Sequence, residues 1–449
     1  MRKKKISVIG LGFVGLPTAC ILADSKNKNS EFNFNVNGID KDIDKIRQLK
    51  INTKLVYEDD RLNKIVKKVI KAKRLNFTNK IESVSTTDII LICISFDFNK
   101  RNYFQRLRNL KELFYKIGNN VKKKTLILVE TTLPPGTCDN IIIPALKKIL
   151  KKRGMKISDI FFGYSFERVM PGNKYFDSII NNYRCYSGMN TESKFQCRNF
   201  LKKYINFKKY NLHEFKKLID CESAKILENS FRAVNIAFID EWTKFSFNTN
   251  INLNNIIDAI QLRKSHKNIM RPGLGVGGYC LTKDPDFVNI SSNLYYKDKF
   301  NFPITNMSLK INKNMVISSL QFIKKRIKSL KNKKILLLGA SYKQDVSDIR
   351  SSPSITLSKY LKKQKAKLYF HDPLTNKDDN KEYGISNILP NFKSFDVILF
   401  CVKHNRYKNL NLSKLSKRPL YFDLNCVLSK IQIKKMIKKK YKLEILGGQ

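Results

Sequence analysis

The chain has 449 residues, too many for one hydrophobic core, so two or three domains are expected. Nine cysteines without a C-x-x-C pair and four scattered histidines offer no zinc-site spacing and argue against a disulfide framework; a reducing compartment and no metal are expected. The formal net charge of +50 would suit a nucleic-acid-binding protein, but lysine runs such as "KKVIKAKR", "ALKKILKKRG" and "KKMIKKKYK" are spread along the whole chain, as codon drift and solvated helix faces would spread them.

The N-terminus, "MRKKKISVIGLGFVGLPTACILAD", pairs a basic start with an apolar stretch, as a signal peptide does, but Gly10, Gly12, Gly15 and Pro17 interrupt it. No uninterrupted apolar run elsewhere approaches the roughly 20 residues of a membrane span, so a cytoplasmic protein without a membrane partner is expected. Strand-length apolar runs then alternate with helical periodicity: "KISVIG", "FNVNGID", "DIILICIS", "TLILVETT" and "DIFFGYS". That alternation predicts a parallel sheet flanked by helices. From about 214 the pattern changes to one long helix, "EFKKLIDCESAKILENSFRAVNIAFIDEWTKFSF", with a further helical piece near "NLNN". Near 334 strand signals return in "KILLLGASY", "KLYFHDP", "FDVILFCV" and "PLYFDL". The expected fold class is α/β, with two Rossmann-like doubly wound parallel-sheet domains joined by a helical segment.

"ISVIGLGFVGLPTA" sets G-x-G-x-x-G (Gly10, Gly12, Gly15) after a strand and at the opening of a helix. The first glycine permits a tight turn, the second lets a pyrophosphate approach the backbone, and the third lets helix and strand pack closely. Asp40 ends the second strand, where a carboxylate can bond both ribose hydroxyls, and its charge favours NAD over NADP.

On the long helix Lys225 and Asn229 are four residues apart and share a face, where a cation and an amide could hold an oxyanion; a solvated lysine beside a polar neighbour has the same spacing. Cys280 in "GVGGYCLTKDP" follows a close-approach loop built by Gly273, Gly275, Gly277 and Gly278 and precedes Lys283 and Asp284. A nearby cation stabilises the nucleophilic thiolate, yet free cysteines are often small buried hydrophobes. Both readings stand on spacing alone.

With these residues in view, the chain resembles the UDP-glucose/GDP-mannose dehydrogenase family of nucleotide-sugar 6-dehydrogenases over nearly its full length. "VIGLGFVGLPTA" is similar to the cofactor loop, which adds Phe13 and Val14 to the glycines; "VETTLPPGT" to the strand and turn bearing Glu130 and Thr131; and "SFERVMPG" to the substrate loop with Glu167 and Arg168. "ESAKILENSFRAVNIAFIDE" resembles the family's dimer helix and "GLGVGGYCLTKDP" its nucleophile loop, including Gly277. "LGASYKQDVSDIRSSP" is similar to the entry of the third domain.

The resemblance implies an NAD-binding domain over 1–205, a helical dimerisation and catalytic segment over 206–318, and a UDP-sugar-binding domain over 319–449. It also implies a homodimer through the central helix and NAD-dependent, four-electron oxidation of a UDP-sugar C6 alcohol to the uronic acid. In that chemistry Cys280 is the nucleophile, and Lys225 and Asn229 hold the C6 oxygen. Asp284 with Thr131 positions or activates water, and Glu167 acts on substrate or accepts a proton. Glu130, Lys283 and Arg350 are implied on the cofactor side, and Arg168, Arg263, Gly277 and Lys343 on the substrate side. The UDP-sugar is UDP-glucose or a UDP-N-acetylhexosamine. "ERVMPG" and "RAVNIAF" lean toward the N-acetylhexosamines and "GGYCLTKD" toward glucose. A basic nucleic-acid binder on a nucleotide-binding fold and an inactive family member are the alternatives.

The chain departs from the family at three places. The family's V-P-T-P after the third of these strand runs is "ISFD" at 94–97, removing a threonine contact to the cofactor. Phe166 replaces a common proline before Glu167, and Tyr342 stands for the phenylalanine before Lys343.

Overall fold

In the computed structural model, which describes residues 3–27, 29–51, 57–96, 103–249, 251–296 and 300–448, the apolar runs become strands whose alternate side chains feed different cores. Strands β1 (Lys4–Ile9), β2 (Phe34–Ile39), β3 (Leu75–Thr78), β4 (Ile89–Ile92), β5 (Leu126–Val129), β6 (Phe161–Tyr164), β7 (Arg184–Gly188) and β8 (Leu212–Glu214) form one sheet, ordered β3-β2-β1-β4-β5-β6-β7-β8. Only the β6–β7 pairing is antiparallel. On β4, Ile89 and Leu91 join the core that holds the helix Gly15–Asp24, whereas Ile90 and Ile92 join the core on the other face. On β5, Leu126 and Leu128 separate from Ile127 and Val129 in the same way. A strand covered on both faces needs apolar residues at successive positions, which is why these segments read as continuous runs.

Strands β9 (Lys334–Leu338), β10 (Lys367–His371), β11 (Ile385–Ser386), β12 (Val397–Phe400), β13 (Leu420–Asp423) and β14 (Lys442–Ile445) form an all-parallel sheet ordered β11-β10-β9-β12-β13-β14. Ile335, Leu337, Val397 and Leu399 fill one core; Leu336, Leu338, Ile398 and Phe400 fill the other. Counted from its own first strand, this sheet has the order 3-2-1-4-5-6, in which β1 to β6 also lie. The two α/β parts of the chain therefore share a strand order. In each sheet the order reverses beside the first strand, and ligands of such sheets sit at the carboxyl ends of the strands there. The loops at those ends are 10–15 after β1 and 339–348 after β9.

The long helix runs from Leu218 to Thr249, and a second helix, Leu253–Ile260, starts at Asn252, whose side chain caps it. The chain divides into two compact units, 1–227 with 287–301, and 228–286 with 302–449, so the long helix contributes residues to both. Among the described residues no helix is long and apolar enough to cross a membrane, and no group of His, Cys, Asp and Glu could hold a metal ion.

The short strands β3, β7, β8, β11 and β14 escaped the sequence reading. Strand β7, "RCYSG", is buried along its whole length although it opens with an arginine. Its burial is possible because the Arg184 guanidinium meets the Glu130 carboxylate at 2.7 Å, Tyr204 Oη at 3.2 Å and the Phe166 carbonyl at 3.0 Å. Burial pushes the Glu130 carboxyl up despite the opposing pull of Arg184. Removing one partner of such a pair strands the other charge, so Arg184→Met is expected to lower unfolding free energy by about 3–5 kcal/mol. Urea denaturation checks it, and R184M/E130Q should recover part of the loss.

Candidate active site

Gly10 takes the left-handed φ of +92°, which turns the chain sharply after β1. A Cβ on Gly15 would lie 1.8 Å from the Gly10 carbonyl oxygen, whereas one on Gly12 would meet nothing within 4 Å. The open space at Gly12 is what a pyrophosphate against the backbone requires. No side chain caps the helix Gly15–Asp24, which begins after Val14; the Leu16 N–H donates to the Gly12 carbonyl at 3.2 Å. The exposed Phe13 accepts a hydrogen bond at its carbonyl from the Tyr175 hydroxyl.

Asp40 is buried, with Oδ2 accepting from the Leu11 N–H at 2.9 Å and the Lys45 ammonium at 3.0 Å, and Oδ1 from the Asp42 N–H at 3.1 Å. Burial pushes its carboxyl up, but those bonds outweigh it and hold it below the ordinary range. It is an ionised acceptor with a lone pair left on Oδ1 for a ribose hydroxyl. These residues fit NAD. At the altered V-P-T-P site Phe96 is a core residue packed edge-on against Phe287, Ser95 is exposed, and Asp97 lies outside the described residues. Thr131 donates to the Ile94 carbonyl at 3.0 Å.

In the same unit the Lys225 ammonium is buried and donates to the Glu167 carbonyl oxygen at 2.8 Å. The Glu167 carboxylate accepts from the Val169 N–H. Phe166 is wholly buried, its ring 5.6 Å from the Lys225 ammonium and 4.8 Å from the Arg168 guanidinium, and Arg168 also donates to the Tyr183 carbonyl. The substitution of proline thus places an aromatic face beside two cations. One turn before Lys225, Glu222 accepts from the Gly136 and Cys138 N–H groups at 2.7 and 2.9 Å and fixes the "PPGT" turn. Burial pushes its carboxyl up to about 7. Glu222 was missed in the sequence because its partners are backbone groups, which carry no residue signature.

In the other unit Cys280 is exposed, alone among the nine cysteines. Burial pushes the thiols of Cys20, Cys93, Cys138, Cys197, Cys221, Cys401 and Cys426 up, away from thiolate. The Cys280 carbonyl accepts from the Lys283 and Asp284 N–H groups at 3.1 and 2.8 Å, closing one turn. The buried Asp284 carboxylate accepts from Asn229 Nδ2 at 2.9 Å and Lys283 Nζ at 2.7 Å. The Lys283 ammonium, expected at the cofactor phosphates, is thereby engaged with Asp284 and lies over the Tyr279 ring at 4.3 Å.

The glycines before Cys280 seat this loop on 342–351. Gly278 has φ +80°, a Cβ there would lie 2.5 Å from the Tyr342 ring, and its N–H donates to the Arg350 carbonyl at 3.1 Å. A Cβ on Gly277 would lie 2.8 Å from the Ser351 carbonyl oxygen. The Arg350 guanidinium chelates Asp348 and lies 5.5 Å from the Tyr279 ring. Desolvation and the Arg232 guanidinium lower the Lys343 pKa, and neither cation has an acidic partner among the described residues. Arg232, one turn beyond Asn229, is a second cation the sequence reading missed. Arg263 is exposed ahead of the short turn Lys264–His266.

Models of the UDP-glucose/GDP-mannose dehydrogenase family match the chain in three parts: the NAD binding domain at 4–205, the central domain at 220–314 and the UDP binding domain at 336–430. A UDP-N-acetyl-D-mannosamine dehydrogenase of Methanococcus aeolicus is 29% identical over 444 residues, covering 95% of this chain and 92% of its own. Its counterpart in Methanococcus maripaludis is 29% identical over 464 residues, covering 99% and 97%. The native structure of the UDP-N-acetyl-mannosamine dehydrogenase Cap5O from Staphylococcus aureus matches with a TM-score of 0.78 at 25% identity, covering 95% of this chain and 96% of its own.

Glu222 makes a pH dependence predictable. Its folded pKa lies above its ordinary value of 4.5, so the folded state holds this proton more tightly than the unfolded state does. Its contribution to stability is full below pH 4.5 and is lost as pH rises through about 7. The urea midpoint should fall over that window in the wild type and fall less in Glu222→Gln.

Proposed function

The chain belongs to the UDP-glucose/GDP-mannose dehydrogenase family, and on that premise we propose that it oxidises the C6 alcohol of a UDP-N-acetylhexosamine, UDP-N-acetylmannosamine foremost, to the uronic acid. The relatives' names support that sugar, as does the lean of "ERVMPG" and "RAVNIAF". Such an acid is a precursor for surface polysaccharide. The observation that carries the chemistry is the single exposed thiol, Cys280, one turn before a buried carboxylate that binds Asn229 and Lys283.

NAD, when bound, supplies the hydride acceptor. The protein's own groups do the rest. The primary alcohol loses a proton and a hydride to become the aldehyde, with Glu167 the candidate proton acceptor. Lys225 and Asn229, on one face of the long helix, hold the C6 oxygen as negative charge develops on it. The Cys280 sulfur adds to the aldehyde carbon, giving a thiohemiacetal whose oxygen takes up the proton. Loss of a second hydride and that proton leaves a thioester. Water cleaves it to the carboxylic acid and regenerates the thiol, with Asp284 and Thr131 positioning or activating the water. Two equivalents of NAD+ are reduced per sugar. Lys343 and Arg232 offer positive charge to the nucleotide diphosphate, with Arg168 and Arg263 further candidates on the substrate side; Gly277 serves there by letting its loop pack closely, since a Cβ would lie 2.8 Å from the Ser351 carbonyl oxygen. Gly10, Gly12, Phe13, Val14, Gly15, Asp40, Glu130, Lys283 and Arg350 form the cofactor-side set, with Lys283 also holding Asp284. The functional division is 1–205, 206–318 and 319–449.

A homodimer through the long helix is part of the same proposal. Leu227, Phe231, Phe238, Trp242 and Phe245 are all exposed. At about 100° per residue they fall within an arc of roughly 60°, a continuous apolar stripe of the kind a second copy would cover.

With UDP-N-acetylmannosamine we expect NADH to form at two equivalents per sugar consumed, and Cys280→Ser to stop acid formation. One equivalent would make this a simple alcohol dehydrogenase, and no turnover on this sugar, UDP-N-acetylglucosamine or UDP-glucose would defeat the enzymatic reading. Phe238→Asp with Trp242→Asp should shift the light-scattering mass from dimer to monomer.

A further inference from the structure

The loop after β9 carries Lys343 between two residues that touch the same buried imidazole. On one side, Ser341 Oγ lies 3.1 Å from His404 Nε2 and donates to the Lys343 carbonyl at 3.0 Å. On the other, the Asp345 N–H donates to His404 Nδ1 at 3.0 Å. His404 is fully buried, as is Asp372, whose Oδ2 lies 3.1 Å from Nε2 and accepts from the Ala340 and Ser341 N–H groups at 2.8 and 3.0 Å.

These contacts fix the tautomer. A backbone N–H can only donate, so Nδ1 must present its lone pair to Asp345, and the proton belongs on Nε2. The Ser341 hydroxyl gives its one proton to the Lys343 carbonyl, so toward His404 it accepts, and Nε2–H is shared between Ser341 and Asp372. The arrangement is not a hydrolytic triad, because serine and aspartate meet the same ring nitrogen. It does have a conformational task. Asp345 has φ +53°, a left-handed conformation that is uncommon for a residue other than glycine. The Nδ1 bond and the Asn405 N–H, which donates to Asp345 Oδ1 at 2.9 Å, hold it here.

We infer that His404 is a positioning residue for substrate binding, a neutral imidazole that sets the backbone on both sides of Lys343 and so aims its ammonium at the nucleotide diphosphate. This rests on the reading of Lys343 as a contact to the UDP-sugar.

The test is a double-mutant cycle on the Kd of UDP, measured by calorimetry on the full chain so that turnover is not needed. His404→Gln keeps a group near Nε2 but loses the acceptor for Asp345, whereas His404→Asn can place its oxygen near Nδ1. We expect H404Q to weaken UDP binding about 10-fold, H404N to stay within about 2-fold of wild type, and H404Q to add less than about 2-fold in the Lys343→Ala background. Equal losses from H404Q in both backgrounds would mean a general structural role and overturn the inference. So would an unchanged Kd in H404Q, or an H404N variant as weak as H404Q. If K343A alone leaves UDP affinity unaltered, the assignment of Lys343 itself fails, which is a separate outcome. Should H404Q not fold, Ser341→Ala removes the bond to the Lys343 carbonyl and carries the same cycle.

Discussion

A carboxylate taken out of water needs donors that match its charge, and Asp284 has two, the Asn229 amide and the Lys283 ammonium. Its own N–H, with that of Lys283, bonds the Cys280 carbonyl. One buried carboxylate therefore ties the turn of Cys280 to the long helix and fixes where the thiol sits. The requirement is asymmetric. Asn229 supplies a donor where an apolar residue would supply none, while loss of either donor leaves the buried carboxylate partly unmatched, at a cost of roughly 1–3 kcal/mol or more. The glycines on the other side of Cys280 do the complementary work, because Tyr342 and the Arg350 carbonyl occupy the space a side chain at 278 would need.

The sequence made the sheets legible wherever a strand is covered on both faces, since such strands are uninterrupted runs of Val, Ile, Leu and Phe. It hid those whose burial depends on a partner elsewhere. Strand β7 is buried through Arg184, and nothing near Arg184 names Glu130, more than fifty residues away, as its counter-ion. Strand β11 has two residues, too short for any periodicity to register. The site divided along the same line. Cys280, Lys225, Asn229 and Asp284 stand in recognisable local patterns, whereas Glu222 acts on backbone N–H groups and His404 on a loop some sixty residues earlier. Lys283, a cation three residues from a cysteine, also binds its neighbour Asp284, a contact that spacing alone did not single out.

Phe166 shows how a departure from a family pattern can be read physically. Proline there would supply rigidity and no π face. The phenylalanine is wholly buried and lies beside Lys225 and Arg168, so the Lys225 ammonium has one neutral, polarisable neighbour and one carbonyl, that of Glu167, as its contacts here. On the proposed role of Lys225, an ion pair at that place would weaken the field offered to a developing oxyanion.

The two sheets also share a device beyond strand order. In each, an acid just after the second strand accepts from N–H groups of the loop that follows the first: Asp40 from Leu11, and Asp372 from Ala340 and Ser341. The fourth group at each site differs. Asp40 binds Lys45, a partly exposed side chain, and retains a lone pair toward the glycine turn. Asp372 is sealed by His404 and has no exposure left for a ribose. The same topology thus yields an acid that can meet a dinucleotide in one sheet and an acid that only shapes a loop in the other. On the proposed role of Lys343, ligand recognition in the second sheet falls to the cation the loop carries, which suits a diphosphate better than a buried anion would.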